Sequence, residues 1–389
     1  MPRIFAIFGL LLILGGAYIA LFTPTISIVL EGYPAAIWPA KGNFAEVTND
    51  NVEPLEETPK RALNDKLRQI FDDSDGKALF VFKDGKPVLE HYVEGYDRET
   101  EFNSFSMVKS LVGILTLKAI SDERIASFHE PLKRVLAKPY PELDGAPIGD
   151  VTISQLLDMR SGIDFEVSVT GAEADTKTRI ASKAEFSPFS KLANLHTNGL
   201  QVLFADLKVD ASKVGEFAYQ NINTAILGLV LETIYDRPLS ELLNEKIWKP
   251  AGAQGFRWRQ YTKEAIVSPY CCLYATVEDW ARVGHFLLLN GGSRTFFADP
   301  IHRHFLGTDS PFYDTRTVSY RSQIRYDVLD RAGEGIQGYF KYFLGQGGQT
   351  VYLIPNENMV VIRFGDKHQL LHSTLYEIHR TLKDAETTQ

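Results

Sequence analysis

The stretch EFNSFSMVKSLVGIL, residues 101–115, constrains the fold of this chain more than any other segment. From position 106 onward it is apolar except for Ser106, Lys109 and Ser110. A helix over residues 106–121 would therefore be buried on nearly all sides and would carry only a narrow polar stripe. Lysine is expensive to bury unless it is paired or neutral. A large domain must enclose this helix and provide a polar site beside the stripe.

The spacing of Ser106 and Lys109 places a hydroxyl and an amine one helical turn apart. Burial disfavours the charged ammonium, so Lys109 can accept a proton at working pH. At the helix N-terminus, Ser106 would lie near unpaired backbone N–H groups and the positive end of the helix dipole, which favour an oxyanion. The pair is typical of a serine nucleophile with a lysine base. Because S-x-x-K also occurs by chance, the hypothesis depends on further residues.

Size and charge exclude several classes of protein. The chain has 389 residues, of which 44% are hydrophobic, and this allows one large core. Its formal net charge of −8, without a basic stripe, argues against a nucleic-acid binder. The only cysteines, Cys271 and Cys272, are adjacent and thus poorly placed for the usual disulfide geometry. We therefore expect no disulfide framework.

The N-terminal segment predicts a membrane anchor. Residues 4–22 carry no charge and are long enough to span a bilayer as a helix. A cleaved signal peptide is the alternative, although such peptides usually have a shorter apolar region and an A-x-A-like cleavage site. Arg3 precedes the run, and no Lys or Arg follows it before Lys41, so the positive-inside rule keeps the N-terminus cytoplasmic. We expect a single-pass protein of the inner membrane whose folded part is periplasmic.

The rest of the chain predicts a tether and one folded domain. Residues 23–60 mix prolines and acidic residues without a sustained period and read as a tether after the anchor at 1–22. The domain, 61–389, begins with a helix, and a hairpin follows around Asp84 and Gly85. The region of about 125–290 is mainly helical, whereas strands and a final helix follow Ser319. This order predicts an α/β (α+β) fold in which both ends of the domain share one antiparallel sheet flanked by helices, with a helical inserted subdomain.

Tyr219, Gln220 and Asn221 directly precede an apolar helix, where a loop can present side chains to a cleft. A Tyr219 hydroxyl near Lys109 could relay a proton, and Asn221 could bind both Lys109 and a substrate carbonyl. By itself the Y-x-N pattern is a common accident in a tyrosine-rich chain.

The segment FLGQGGQTVYLIP, residues 343–355, is glycine-rich at the edge of a predicted strand. Around Gln346, Gly347 and Gly348 a ligand could approach the backbone closely, and the N–H of Gln349 could point at a developing oxyanion. A bulge or hairpin corner is the alternative interpretation of the same glycines.

Together and in this order, the three segments resemble the active-site boxes of the serine β-lactamase and penicillin-binding-protein-like superfamily. That superfamily also includes esterases, D-aminopeptidases and 6-aminohexanoate-dimer hydrolases. Ser106-Met107-Val108-Lys109 resembles its S-x-x-K box, and Tyr219-Gln220-Asn221 resembles the Y-x-N box of the class C-like branch. LLDMRSGI (156–163) and ATVEDWARVG (275–284) resemble further segments of this branch, so the likeness spans about residues 75–385.

The third box departs from the usual pattern. Many members have K-T-G or H-T-G, whereas this chain has Gln346-Gly347-Gly348 and no cation there. In β-lactamases and transpeptidases that cation helps to hold a carboxylate, so the resemblance implies amide or ester hydrolysis rather than β-lactam turnover. A similar Gly-Gly-Gln version resembles the esterase and 6-aminohexanoate-dimer hydrolase members.

The resemblance implies a β-lactamase/transpeptidase-like fold and a two-step acyl transfer. Lys109, assisted by Tyr219, would take the proton of Ser106, whose oxygen attacks the carbonyl, while the N–H groups of Ser106 and Gln349 would stabilise the oxyanion. A small-molecule or short-peptide amide or ester would be the substrate, and neither a metal nor an organic cofactor is needed.

Two alternatives stay open. A binding or sensing protein would keep the fold without turnover. A metallohydrolase could use His302 and His304 in DPIHRHFLG, although a solvated loop is the better interpretation of that segment.

Overall fold

The structure is a computed structural model that describes residues 9–17, 43–165, 191, 195, 199–200, 204, 207–260, 266–292, 295–306 and 320–387. The strands are Asn43–Thr48 (β1), Gly76–Lys83 (β2), Lys86–Tyr92 (β3), Phe102–Asn103 (β4), Gly255–Gln260 (β5), Leu273–Ala275 (β6), Tyr320–Arg321 (β7), Ile324–Leu329 (β8), Gly338–Gly345 (β9), Gln349–Ile354 (β10) and Met359–Gly365 (β11). The α-helices labelled here are Asp65–Asp73 (α1), Val108–Ser121 (α2), Leu132–Val135 (α3), Ile153–Leu157 (α4), Asn221–Tyr235 (α5), Leu239–Leu243 (α6), Val277–Leu288 (α7), Asp299–Leu306 (α8) and Leu371–Thr387 (α9).

The larger sheet joins the two ends of the domain. Its seven strands lie in the order β3-β2-β11-β10-β9-β8-β7, and all neighbours are antiparallel. Strand β2, near the start of the domain, pairs with β11, near its end. The prediction that both ends share one antiparallel sheet is therefore confirmed. The hairpin prediction is also confirmed, because Asp84 (φ 52°) and Gly85 (φ 79°) form the turn between β2 and β3.

Each face of this sheet packs against a different layer. On one face, α1 and α9 cover the apolar side chains of the central strands, including Val81, Tyr352 and Val361. On the other face, Phe80, Val351 and their neighbours join one large core with α2, α5 and α7. This arrangement is a sheet between two layers of helices, which agrees with the expected mixed α/β class.

A second sheet corrects the boundary of the predicted tether. Its four strands lie in the order β1-β5-β6-β4, and β1 pairs with β5 from Asn43–Gln260 to Thr48–Gly255. The prediction that residues 23–60 form a tether with little structure is therefore wrong for residues 43–48. A six-residue edge strand has no strong periodic signal of its own, because its pairing partner lies about 210 positions later in the chain. The region 125–290, predicted as mainly helical, likewise contributes β5 and β6.

Helix α2 is the most deeply enclosed element. Eleven of its 14 residues are buried, including Lys109 and Ser110. Where Gly113 faces the turn between β7 and β8, an added Cβ would lie 2.2 Å from the carbonyl oxygen of Ser322. Ser110 donates its hydroxyl to the backbone oxygen of Gln323 in the same turn, at 2.7 Å. Ser110 and Gly113 thus pack the helix against the turn between β7 and β8. Ser106 and Lys109, at the N-terminal end of the polar stripe, are left to form the site.

The predicted membrane span, residues 4–22, lies mostly outside the described residues. Residues 9–17 are helical. Within the parts of the chain that the structure describes, no helix is both long and apolar enough to cross a membrane.

The two cysteines form a bond that the sequence argued against. Cys271 and Cys272 are joined as a disulfide between neighbouring residues, with their Cα atoms 3.7 Å apart. Cys272 has a left-handed backbone (φ 71°) in a tight turn, a conformation that spacing rules for ordinary disulfides do not consider. The prediction that these residues do not pair is therefore wrong.

Strand β9 carries a lysine in the core. Lys341 is 8% exposed, and its Nζ lies 5.9 Å from the ring centroids of Phe305 and Tyr326. Burial, with a smaller contribution from the charge of Arg321, lowers the pKa of Lys341 from 10.5 to about 7. Because the folded value lies below the unfolded one, the folded protein loses stability as the pH falls from above 10 towards 7.

Lys341→Met should therefore stabilise the protein more at pH 6 than at pH 10. At pH 6 the parent keeps a charged amine in an apolar place, and the variant removes that cost. Thermal unfolding of parent and variant at both pH values measures the difference in Tm. Lys86→Met, at an exposed position of the same sheet, serves as the control. Equal gains in Tm at both pH values would contradict the assignment.

Candidate active site

Ser106 lies in a short 3₁₀ turn, Phe105–Met107, directly before α2. Phe105 has a positive φ of 44°, which a bulky residue adopts only under constraint. The constraint is visible, because Asn103 Oδ1 accepts from the Phe105 N–H at 2.9 Å and the Ser104 N–H donates to Leu273 O at 2.8 Å. The smaller sheet therefore holds the backbone that presents Ser106.

Lys109 contacts Ser106 directly. Its Nζ donates to Ser106 Oγ at 2.8 Å and to the backbone oxygen of Tyr270 at 2.9 Å. The side chain is 1% exposed, and within the described part of the chain no carboxylate forms an ion pair with it. A neutral Lys109 could keep donating to Tyr270 while its lone pair receives the proton of Ser106. The geometry required for a serine nucleophile and a lysine base is present.

Tyr219 completes the group that the sequence predicted. It precedes α5, and its ring centroid lies 5.1 Å from Lys109 Nζ. Asn221, the first residue of α5, is half-buried at the same end of that helix. The structure thus brings Lys109 and Tyr219 together from positions 110 residues apart.

The glycine-rich segment is the turn between β9 and β10. At Gly345 an added Cβ would lie 2.3 Å from the carbonyl oxygen of Ser104, so only glycine lets the strand end approach the nucleophile turn this closely. Gly347 and Gly348 have φ of 75° and 77°, which favour glycine. The hairpin-corner interpretation therefore applies to this segment, and the close approach of a ligand to its backbone stays a prediction.

Gln346 and Gln349 are placed differently by this turn. Gln346 is half-buried. The side chain of Gln349 donates to Gly365 O at 2.6 Å and accepts from the Gly365 N–H at 3.0 Å, so it links β10 to β11. Its side chain therefore has a structural role, and the contribution of its backbone N–H to an oxyanion site stays a prediction.

A cation that the sequence did not indicate lies behind the third box. Arg363 on β11 is fully buried and donates to Gly347 O, Gly348 O and Lys367 O at 3.0, 3.1 and 2.9 Å. It also donates to the backbone oxygen and the hydroxyl of Ser74. Burial lowers the pKa of Arg363 to about 10, so it stays charged near neutral pH. Its position in an apolar strand segment, VVIRFG, was the only signal for it in the sequence.

One of the two histidines proposed for a metal, His304, has other contacts. His304 Nε2 lies 2.8 Å from Ser322 Oγ, and its ring stacks on Phe128 with centroids 4.5 Å apart. Burial, followed by the charges of Arg321 and Lys341, lowers the pKa of His304 to about 3. Among the described residues, no group of three or more metal-ligating side chains is present.

Three residues of the site come from segments that carry no motif. They are Tyr270, which accepts from Lys109, and Tyr320 and Arg325, which flank the ring of Tyr219. Their distance in the chain from Ser106, Lys109 and Tyr219 leaves no local pattern to read. The segment 164–200, between α4 and α5, lies mostly outside the described residues.

Comparison with known proteins identifies the family. The model of the beta-lactamase family matches residues 63–370. The chain belongs to the beta-lactamase family. The superfamily resemblance predicted from the three boxes is thus confirmed.

Relatives of this beta-lactamase-family protein include a 6-aminohexanoate-dimer hydrolase from Paenarthrobacter ureafaciens, 24% identical over 231 residues. The alignment covers 58% of this chain and 55% of that relative, so the chain matches about half of its length.

Solved structures show the same fold at low identity. A candidate 6-aminohexanoate-dimer hydrolase from Bacillus anthracis has a TM-score of 0.65 at 21% identity and covers 89% of this chain and 90% of its own. A class C beta lactamase from Rhodobacter sphaeroides has a TM-score of 0.52 at 13% identity, with 83% and 100% covered.

Replacing Arg363 should weaken both the fold and the site. In Arg363→Met, five acceptors lose their donor, and because each unsatisfied buried group costs about 1–3 kcal/mol, we expect a loss of at least about 3 kcal/mol in unfolding free energy. Arg363→Lys should lose less, since an ammonium can serve some of the carbonyls. Denaturant unfolding measures the loss. The control is Arg61→Lys, because Arg61 contacts Leu382 O at the longer distance of 3.4 Å. A parent-like midpoint for Arg363→Met would contradict this role.

Proposed function

We propose that this protein is a serine hydrolase that cleaves an amide or ester bond through an acyl-enzyme on Ser106. The observation that carries the proposal is the hydrogen bond of 2.8 Å between Ser106 Oγ and the buried Lys109 Nζ. This lysine is enclosed, and among the described residues the oxygens that accept from it, on Ser106 and Tyr270, are neutral. Membership of the beta-lactamase family supports the same chemistry.

The reaction proceeds in two steps. Lys109, assisted by Tyr219, takes the proton of Ser106 as its oxygen bonds to the substrate carbonyl. Backbone N–H groups of Ser106 and of the glycine-rich turn stabilise the oxyanion, with Gln349 as the predicted donor. Tyr219 protonates the leaving amine or alcohol, and Asn221 orients the carbonyl. Water then releases the acyl group by the same route.

Linear amides are the first substrates to test. The relative from Paenarthrobacter ureafaciens is named for a 6-aminohexanoate dimer, and the site here has no cation within the third box itself. We propose a small-molecule or short-peptide amide or ester, held between the Tyr219 loop and the turn at Gln346.

An activated serine should react with a fluorophosphonate. We expect one adduct on the full-length protein in mild detergent, no adduct on Ser106→Ala, and labelling at least about 100-fold slower on Lys109→Met, since a general base contributes about 10²–10⁴-fold. Intact-protein mass spectrometry over time measures this. Lys118→Met, on the outer part of the same helix, is the control.

A folded parent protein that stays unlabelled would contradict the proposed hydrolase. An adduct together with an acyl-enzyme that forms from a substrate and does not hydrolyse would favour the binding or sensing alternative.

We also propose that residues 4–22 anchor the protein in the inner membrane, with the catalytic domain in the periplasm. The uncharged run of 19 residues supports this. The full-length chain should stay in the membrane pellet after an alkaline wash, and a variant without residues 1–22 should enter the supernatant. A mature mass that lacks the first residues would instead indicate a cleaved signal peptide and contradict the anchor.

A further inference from the structure

Two basic side chains, those of Lys109 and Arg325, lie close to the ring of Tyr219. Lys109 Nζ is 5.1 Å from its ring centroid, and the guanidinium carbon of Arg325 is 5.9 Å from the same centroid. Arg325 comes from β8, the strand beside β9, and it is half-buried. It belongs to none of the three boxes.

Tyr320 contacts both Tyr219 and Arg325. Its ring meets the ring of Tyr219 edge-on, with centroids 6.0 Å apart and planes at 85°. Arg325 pairs with Tyr320 across β7 and β8, and its guanidinium carbon lies 5.6 Å from that ring. Burial, and after it the negative charge that Tyr219 can carry, raises the pKa of Tyr320 well above its usual range. Tyr320 therefore stays neutral.

Lys109 and Arg325 differ in whether their charge is constant during the reaction. Lys109 changes its charge when it exchanges the proton of Ser106, whereas a guanidinium stays charged at any working pH. A cation near an aromatic face stabilises the ring, and it stabilises the phenolate more, because the phenolate carries a full negative charge. Of these two side chains, Arg325 supplies this stabilisation throughout the reaction.

We propose that Arg325 is a positioning residue for Tyr219, whose permanent charge favours transfer of the Tyr219 proton to the leaving group. This inference rests on the proposed function. The third box of this chain has no cation of its own. Arg325 supplies a cation from β8 instead, and it acts on Tyr219, the proton donor.

The step is balanced as follows. The carbonyl carbon gains a bond to Ser106 Oγ and loses its bond to the leaving nitrogen or oxygen. The proton of Ser106 passes to Lys109, and the Tyr219 hydroxyl proton passes to the leaving atom. The transient phenolate recovers a proton from Lys109. Arg325 exchanges no proton and stabilises the phenolate while it exists.

Two neutral esters of butyric acid distinguish a role in protonation of the leaving group from a structural role of Arg325. Ethyl butyrate needs its leaving ethoxide protonated, whereas p-nitrophenyl butyrate releases a stable phenolate without a proton. We expect Arg325→Met to lower kcat/KM for ethyl butyrate about tenfold and for p-nitrophenyl butyrate by less than about twofold. Arg325→Lys should restore most of the ethyl butyrate activity, since it keeps the charge. The matched control is Arg331→Met. The guanidinium carbon of Arg331 lies 4.9 Å from the ring centroid of Tyr376 on α9, so this variant also removes an arginine from a tyrosine ring, and it should change neither rate.

The outcomes are distinguishable. Equal loss for both esters would overturn the inference in favour of a structural role, and no loss for either would overturn it outright. A rise in KM confined to substrates with a carboxylate would assign Arg325 to substrate binding instead. A parent protein that hydrolyses neither ester faster than Ser106→Ala would contradict the proposed function itself.

Discussion

The site depends on enclosing the amine of Lys109. The helix that carries it is surrounded by apolar packing, and among the described residues the amine donates to the hydroxyl of Ser106 and the carbonyl of Tyr270. In the described surroundings this amine forms no ion pair with a carboxylate, and the two oxygens that accept from it are neutral. Because β4 and β6 are antiparallel, the strained Phe105 after β4 and the Tyr270 turn before β6 lie at the same end of the smaller sheet. Its strands therefore fix the position of Ser106, which follows Phe105, and of the Tyr270 carbonyl that accepts from Lys109.

Positive charge is distributed around the site by the larger sheet. Arg363 binds the carbonyl groups of the glycine-rich turn from behind, and Arg325 reaches the face of Tyr219 from β8. Neither guanidinium occupies the position that a lysine or histidine has in the third box of many relatives. The sheet can supply charge from strands next to that box, because adjacent strands bring residues from distant parts of the chain within a few ångströms.

The vicinal cysteines connect these features. Cys272 packs with Phe105 and Tyr274 in a small apolar cluster, directly after the Tyr270 carbonyl that accepts from Lys109. The Trp258 indole donates to Ser268 O and Cys271 O at 2.8 and 3.1 Å and holds the same turn. The turn is thus fixed by covalent, apolar and polar contacts at once.

The sequence by itself determined the elements whose signals are local. The buried helix with Ser106 and Lys109 one turn apart and the Asp84-Gly85 hairpin were predicted from periodicity and turn residues. The order of elements along the domain predicted the shared sheet, and the ordered motifs predicted the family. Those signals persist because a helical turn or a two-residue hairpin involves only neighbouring residues.

Only the tertiary structure decided the pairings between distant residues. Strand β1 inside the supposed tether, the bonded cysteines, the guanidinium of Arg363 behind the glycines and the place of Arg325 beside Tyr219 leave no local pattern. Each depends on contacts that form when separate segments pack together, and the energy of such contacts is set by burial and distance rather than by spacing in the chain.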